Sequence, residues 1–252
     1  MDKLPLFKSH YSLGKSILTL DKPKGNIEKN PVSIIDLVLH AGLPYMSLVE
    51  DNMTSFLEAS KHCQDKKIKL IYGLRIDITL ETLNQDEASL KKRAKYIIFA
   101  RSNAGYKALL KIWSFAAKTG FYYNACLDFK NLKTLWNDEL LLAVPFYDSF
   151  LNLNAFESHV HVPDFTPIKP IFFLEENGIP FDSYLRKKVL DYCGNQYETL
   201  EVQSIYYKSA LDFIAYLTFR CISERTSIEK PEFNNMCSDT FNYERWLNGQ
   251  RN

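Results

Sequence analysis

LPYMSLVEDNMTSFLEASKHCQDKKIKLIYGLRIDI, residues 43–78, is the stretch from which the rest of the chain is read. Residues 45–49 form a short apolar run that ends in the polar corner Glu50-Asp51-Asn52. Phe56, Leu57, Ala59, Ser60 and Cys63 then recur at helical spacing, and residues 69–78 alternate as a strand does. The unit is strand, acidic loop, helix, strand. In α/β folds the loop leaving a strand's carboxyl end is where chemistry sits, so Glu50, Asp51 and Asn52 are the first candidate positions. The same residues also suit a plain helix N-terminal cap.

The flanks repeat the theme. Residues 4–12 alternate, with Leu6, Lys8 and His10 on one side, and are expected to form a first strand. Residues 21–26 are turn-forming, and Asn30-Pro31 is the expected start of a helix carrying Ile34, Ile35, Leu37, Val38 and Ala41, closed by Gly42. Beyond the central unit, residues 81–92 read as a loop or short helix and 96–100 as a strand. Asn103 and Gly105 open an amphipathic helix that stops near Gly120, and Asp128 caps a shorter one. Residues 140–144 read as a buried strand, 146–170 as mostly loop, 171–174 as a strand and 181–193 as a helix ended by Gly194 in the αL position. A strand over 199–202 and a long helix over 209–221 follow. Such alternation means a parallel α/β architecture, either an open sheet or a barrel, and periodicity does not choose between them. The expected division is one barrel domain over 1–225 and a C-terminal tail over 226–252, packed on the barrel or free of it.

Composition narrows the partners. With 31 Lys and Arg against 30 Asp and Glu in 252 residues, no global field draws the chain to nucleic acid or an anionic membrane. Direct nucleic-acid binding is therefore expected to be weak or absent. Five scattered cysteines, none in a CxxC pair, fit free thiols in a reducing cytoplasm. No apolar run approaches the roughly 18 residues of a membrane span, so a cytoplasmic protein with no membrane partner is expected.

Several local strings carry a resemblance. Tyr11-Ser12 follows the first strand, Leu48-Val49-Glu50-Asp51-Asn52-Met53 forms the corner, and Lys67-Ile68-Lys69-Leu70-Ile71-Tyr72-Gly73-Leu74-Arg75 forms the second strand of the unit. Phe99-Ala100-Arg101-Ser102-Asn103-Ala104-Gly105-Tyr106-Lys107-Ala108-Leu109 comes next. In order and spacing these resemble the PHP (polymerase and histidinol phosphatase) domain of the bacterial DNA polymerase III alpha subunit. The resemblance implies a distorted (βα)7 TIM-like barrel with its site at the carboxyl ends of the strands. It also implies a place in DNA replication, with a replicative DNA polymerase or its accessory subunits as partner.

Active members of that family hold metal ions with His, Asp and Glu ligands. Carried over residue by residue, the first motif's histidines fall on Leu6 and Lys8, and the Asp-His of the corner on Val49 and Glu50. The Glu of the next strand falls on Arg75, a later His on Lys95, and the closing Asp-x-His on Ser204 and Tyr206. Cations at these positions would repel a divalent ion. The resemblance thus implies a pseudoenzyme with no cofactor and a vestigial pocket of Lys8, His10, Glu50, Asp51, Arg75, Lys95, Ser204 and Tyr206. In it, Lys8, Arg75 and Lys95 are expected to converge with Glu50 or Asp51 into a charge cluster. The alternative is an active metal-dependent phosphoesterase, a 3′–5′ exonuclease or small phosphatase using zinc or manganese, with rearranged ligands drawn from His10, Glu50, Asp51, His159 and His161. A nucleic-acid-binding module with Tyr122-Tyr123 or Tyr206-Tyr207 as stacking platforms is the third reading, set against ordinary aromatic packing.

Overall fold

The computed structural model describes residues 3–21, 31–156, 159–228 and 238–250. Strands β1 (Leu4–Phe7), β2 (Tyr45–Glu50), β3 (Lys69–Thr79), β4 (Ala94–Ala100), β6 (Leu140–Val144), β7 (Ile171–Leu174) and β8 (Glu198–Ile205) close on themselves in the order β1-β2-β3-β4-β6-β7-β8. β1 joins the ring's two ends by pairing with both β2 and β8. A short strand β5 (Cys126–Asp128) hangs outside the ring, paired with the far end of β3. The fold is therefore a closed seven-stranded α/β barrel, which settles the choice that periodicity left open.

One expectation fails in an instructive way. β4 runs antiparallel to both β3 and β6, whereas the alternation had implied parallel strands throughout. A parallel return needs a crossover helix long enough to span the sheet. Between β3 and β4 there is only α3 (Glu87–Leu90), a single turn, so the chain comes back alongside.

The period of two sorts the strand residues into two apolar clusters. Inside the ring, Leu6, Val49, Ile97, Phe99, Ala143, Phe173 and Val202 pack together above Leu4, Ile71, Leu141, Ile171 and Leu200. The alternate positions, among them Phe7, Met46, Leu48, Leu74, Ile76 and Ile98, face outward against the helices in one larger core. Each such large side chain contributes about 1.5–3 kcal/mol on burial, which is why the register of every strand is firmly set. The covering helices are α1 (Ile34–His40), α2 (Phe56–Asp65), α4 (Asn103–Lys118), α5 (Phe129–Leu135), α6 (Phe150–Ala155), α7 (Asp182–Cys193) and α8 (Phe213–Glu224). From the tail, α9 (Tyr243–Gln250) lies back on the barrel, where the Trp246 indole N–H donates to the Lys3 carbonyl at 2.8 Å.

Boundaries differ from expectation where side chains compete with the regular ladder. β1 stops at Phe7 and not at residue 12, because Ser9 and Ser12 turn away to bond Glu50. Helix α1 is capped by Ser33, whose hydroxyl accepts from the Asp36 N–H, so Pro31 is not its first residue; Asn30 lies outside the described residues. The loop over 146–170 contains α6, capped by Ser149. The last long helix starts as a 3₁₀ turn, Ala210–Asp212, before α8. Gly194 does end α7, but with φ 47° and ψ −127° it is not in the αL region.

Candidate functional site

The inward row of each strand continues past the apolar layers into a polar layer at the barrel mouth. β1 adds Lys8 after Leu4 and Leu6, β3 adds Arg75 after Ile71 and Gly73, β7 adds Glu175 after Ile171 and Phe173, and β8 adds Ser204 after Leu200 and Val202. Asp51 follows Val49 in the same way. Because β4 runs antiparallel, it brings Lys95 to this rim at its amino end.

Each of the three cations in this layer is paired with an aspartate. Lys8, 3% exposed, places its Nζ 2.7 Å from Asp51 Oδ1. Arg75 Nη2 lies 2.7 Å from Asp148 Oδ2 and also donates to the Tyr147 carbonyl at 3.2 Å. Lys95 Nζ is 2.8 Å from Asp77 Oδ2. Burial alone would raise the Asp51 carboxyl. Lys8, then Arg75 and Lys95, more than reverse that and hold it well below the usual carboxylate range.

Two glutamates, both raised by burial, point in different directions. Glu175 is buried, accepting from the Ser204 N–H at 3.1 Å, the Ser204 hydroxyl at 2.9 Å and the Asn177 amide at 3.0 Å, and burial pushes it up. Glu50, also raised by burial, points away from the mouth. It accepts from the Ser9 N–H at 3.0 Å and from the hydroxyls of Ser9 and Ser12, and Ser12 Oγ in turn accepts from the Asp51 N–H at 3.0 Å. Glu50 thus ties the loop after β1 to the loop after β2, and it sets where Asp51 stands.

Of the sequence-derived pocket residues, Lys8, Arg75, Ser204 and Tyr206 line one cavity, and Asp51 and Lys95 join them through the charges. Glu50 and His10 do not line it; His10 packs on Tyr11 with ring centroids 4.5 Å apart. Tyr206 stacks between Tyr216 and Phe241, with centroids at 5.7 and 5.3 Å, and Tyr207 is fully buried, so this pair packs the core and offers no platform for a base. His159 and His161 line a separate surface depression with Leu80 and Lys92. Glu175 and Asp148 escaped the sequence reading. For Glu175 the signal was present, since it continues the inward row Ile171, Phe173 by one more step of two. Asp148 gave none, because it sits in an irregular segment at φ 61°.

A divalent metal does not suit this layer. Among the described residues no three His, Cys, Asp or Glu side chains come together in a way that could hold an ion. Asp51, Asp77 and Asp148 already face organic cations, and both oxygens of Glu175 accept protein hydrogen bonds. The cavity beneath them, lined by Lys8, Arg75, Glu175, Ser204 and Tyr206 among others, has a volume of about 20 Å³, room for roughly one water molecule. Arg75 Nε, buried without a hydrogen-bond partner, is an N–H donor that a cation cannot satisfy.

The family profile described as PHP domain matches residues 26–169, more than half of the chain. The match takes in Asp51, Arg75, Lys95 and Asp148 and ends before Glu175. No individual curated protein matches the chain.

Proposed function

The chain belongs to the PHP domain family, a family of metal-dependent phosphoesterases with TIM-like barrels, and on that premise we propose that it is a member without phosphoesterase turnover. Its role would be that of a structural or protein-interaction module in DNA replication. The observation that carries the first half is the barrel mouth, where Lys8, Arg75 and Lys95 stand paired with Asp51, Asp148 and Asp77. Metal catalysis of phosphoester cleavage needs open coordination positions and an ion to polarise the ester and lower the pKa of water. This layer supplies ammonium and guanidinium groups that are already paired with carboxylates, in place of ligands with open coordination positions.

The second half rests on the strings that resemble the polymerase III alpha subunit, chiefly residues 48–53, 67–75 and 99–109. The partner is then a replicative DNA polymerase or one of its accessory subunits, met through protein surface and not through chemistry at the mouth. The ligand set of the rival phosphoesterase does not assemble: Glu50 is held by Ser9 and Ser12, while His159 and His161 line a different depression.

The test combines metal analysis with turnover. Protein purified without chelator is expected to carry no stoichiometric zinc or manganese and to hydrolyse neither an aryl phosphate nor a single-stranded oligonucleotide. Stoichiometric metal, with turnover abolished by Asp51→Ala, would overturn the proposal. A pull-down with a purified replicative polymerase addresses the partner separately.

A further inference from the structure

Beyond the carboxyl end of β3 lies a depression of about 430 Å³, lined by Leu80, Lys92, Asn154, His159, Val160 and His161. That volume is in the range of small-molecule sites. The segment that carries its two histidines belongs to no strand, and the end of α6 fixes it in place. The Asn154 side chain takes both backbone polar groups of Val160: its Oδ1 accepts from the Val160 N–H at 2.7 Å, and its amide donates to the Val160 carbonyl at 2.9 Å. Val160 is thereby held in the core, while His159 and His161 on either side of it are exposed and line the same depression, as alternate residues of an extended segment do.

The charges here differ from those at the mouth, where each cation has its aspartate. Among the described residues neither imidazole nor the Lys92 ammonium has an ion-pair or side-chain hydrogen-bond partner, and no carboxylate or thiol lines the depression. Helix α6, FLNLNA, carries no ionisable group, and Asp164, further along the histidine segment, is taken by Lys133 at 3.1 Å. A transition metal would find two imidazoles with no third ligand, and the Lys92 ammonium would repel it. An anion meets three N–H donors, two of which gain charge as pH falls. A terminal phosphate has three free oxygens to set against them, and a diester has two. We infer that this depression binds the phosphate group of a small phosphate monoester through Lys92, His159 and His161, with its organic part lying on Leu80, which is 58% exposed. The inference is independent of what the barrel mouth does.

Histidine side-chain resonances of the full chain, followed by NMR at constant ionic strength, test this with controls built in. His40, bonded to Tyr243, and His62, beside Asp21, lie elsewhere on the molecule. Inorganic phosphate is expected to shift His159 and His161 saturably and to leave His40 and His62 in place. Phenyl phosphate is expected to bind more tightly than inorganic phosphate, and dimethyl phosphate more weakly. Sulfate, a dianion throughout, separates the protein's titration from the ligand's, and its affinity is expected to rise about tenfold from pH ~8 to pH ~5.5. Lys92→Ala, at an exposed position, is expected to weaken phosphate binding about tenfold with an unchanged thermal melt. Shifts that do not saturate, equal shifts at His40 and His62, dimethyl phosphate as tight as inorganic phosphate, phenyl phosphate no tighter, a sulfate affinity independent of pH, or full binding by Lys92→Ala would each overturn the proposal.

Discussion

At the scale of single residues, the barrel mouth is a set of charges whose value lies in their pairing. Lys8 is almost fully buried, so removing it leaves Asp51 facing Arg75 and Lys95 without its closest partner. Breaking a buried pair costs about 3–5 kcal/mol, and with Asp51 27% exposed the lower end applies to Lys8→Met, about 3 kcal/mol by urea unfolding. Replacing both members, Lys8→Met with Asp51→Leu, is expected to recover most of that loss, and a double variant as unstable as the sum of the two singles would contradict it. Proton linkage separates the two kinds of acid in this layer. Asp51 is depressed in the folded chain, so its contribution is present above an unfolded pKa of about 3.9 and is lost as pH falls. Glu175 is raised, so its contribution is present below an unfolded pKa of about 4.3 and is lost as pH rises through the folded value. The deficit of Asp51→Asn should therefore shrink on acidification below pH ~4, while Glu175→Gln gains on the natural chain as pH rises above ~4. Urea midpoints measured relative to the natural chain on both sides of pH ~4, shifting in the same direction on acidification for both variants, would exclude this assignment.

At the scale of elements, what was legible follows from what a side-chain pattern can encode. The alternation over residues 69–78 and the helix that precedes it came through within two residues, since a buried face fixes period and phase. Strand direction is not encoded that way. AKYIIFA, buried on both faces, reads the same parallel or antiparallel, and the missing crossover helix before β4 was the available clue. Caps failed where two polar candidates stood close together, as with Ser33 against Asn30. The candidate site was legible in part: Lys8, Asp51, Arg75, Lys95, Ser204 and Tyr206 were reached through the motif resemblance, whereas the Asp148 side of the Arg75 pair depends on a loop. The rows also meet inside the ring, where Gly73 gives room to its neighbours: a Cβ there would lie 2.8 Å from Phe99 Cε1 and 3.0 Å from Val49 Cγ2. Gly73→Ala is expected to cost about 1–3 kcal/mol through overpacking. Combined with Phe99→Leu, which removes the ring that the new methyl strikes, the total loss should be smaller than the sum of the separate losses. Strict additivity in denaturant unfolding would mean that Gly73 and Phe99 are not coupled.

At the scale of the whole molecule, the three ion pairs join parts of the ring that are distant in sequence. Lys8–Asp51 ties β1 to the loop after β2, Arg75–Asp148 ties β3 to the loop after β6, and Lys95–Asp77 ties β4 back to β3. A metal cluster in the same place would make comparable ties through its ligands, and it would couple folding to metal concentration. The two cases respond differently to added ion. A specific site held at 100 times its dissociation constant adds about 2.7 kcal/mol to stability. For a chain of this size that corresponds to a rise in Tm of roughly 5–10 °C. With every carboxylate at the mouth already paired or hydrogen-bonded, added Mn²⁺ is expected to leave Tm unchanged, and prior treatment with chelator is expected to leave it unchanged as well. Differential scanning calorimetry with and without each agent reads this directly. A chelator-induced fall in Tm that Mn²⁺ restores would mean that the ring is closed by an ion and not by its own lysines and arginine.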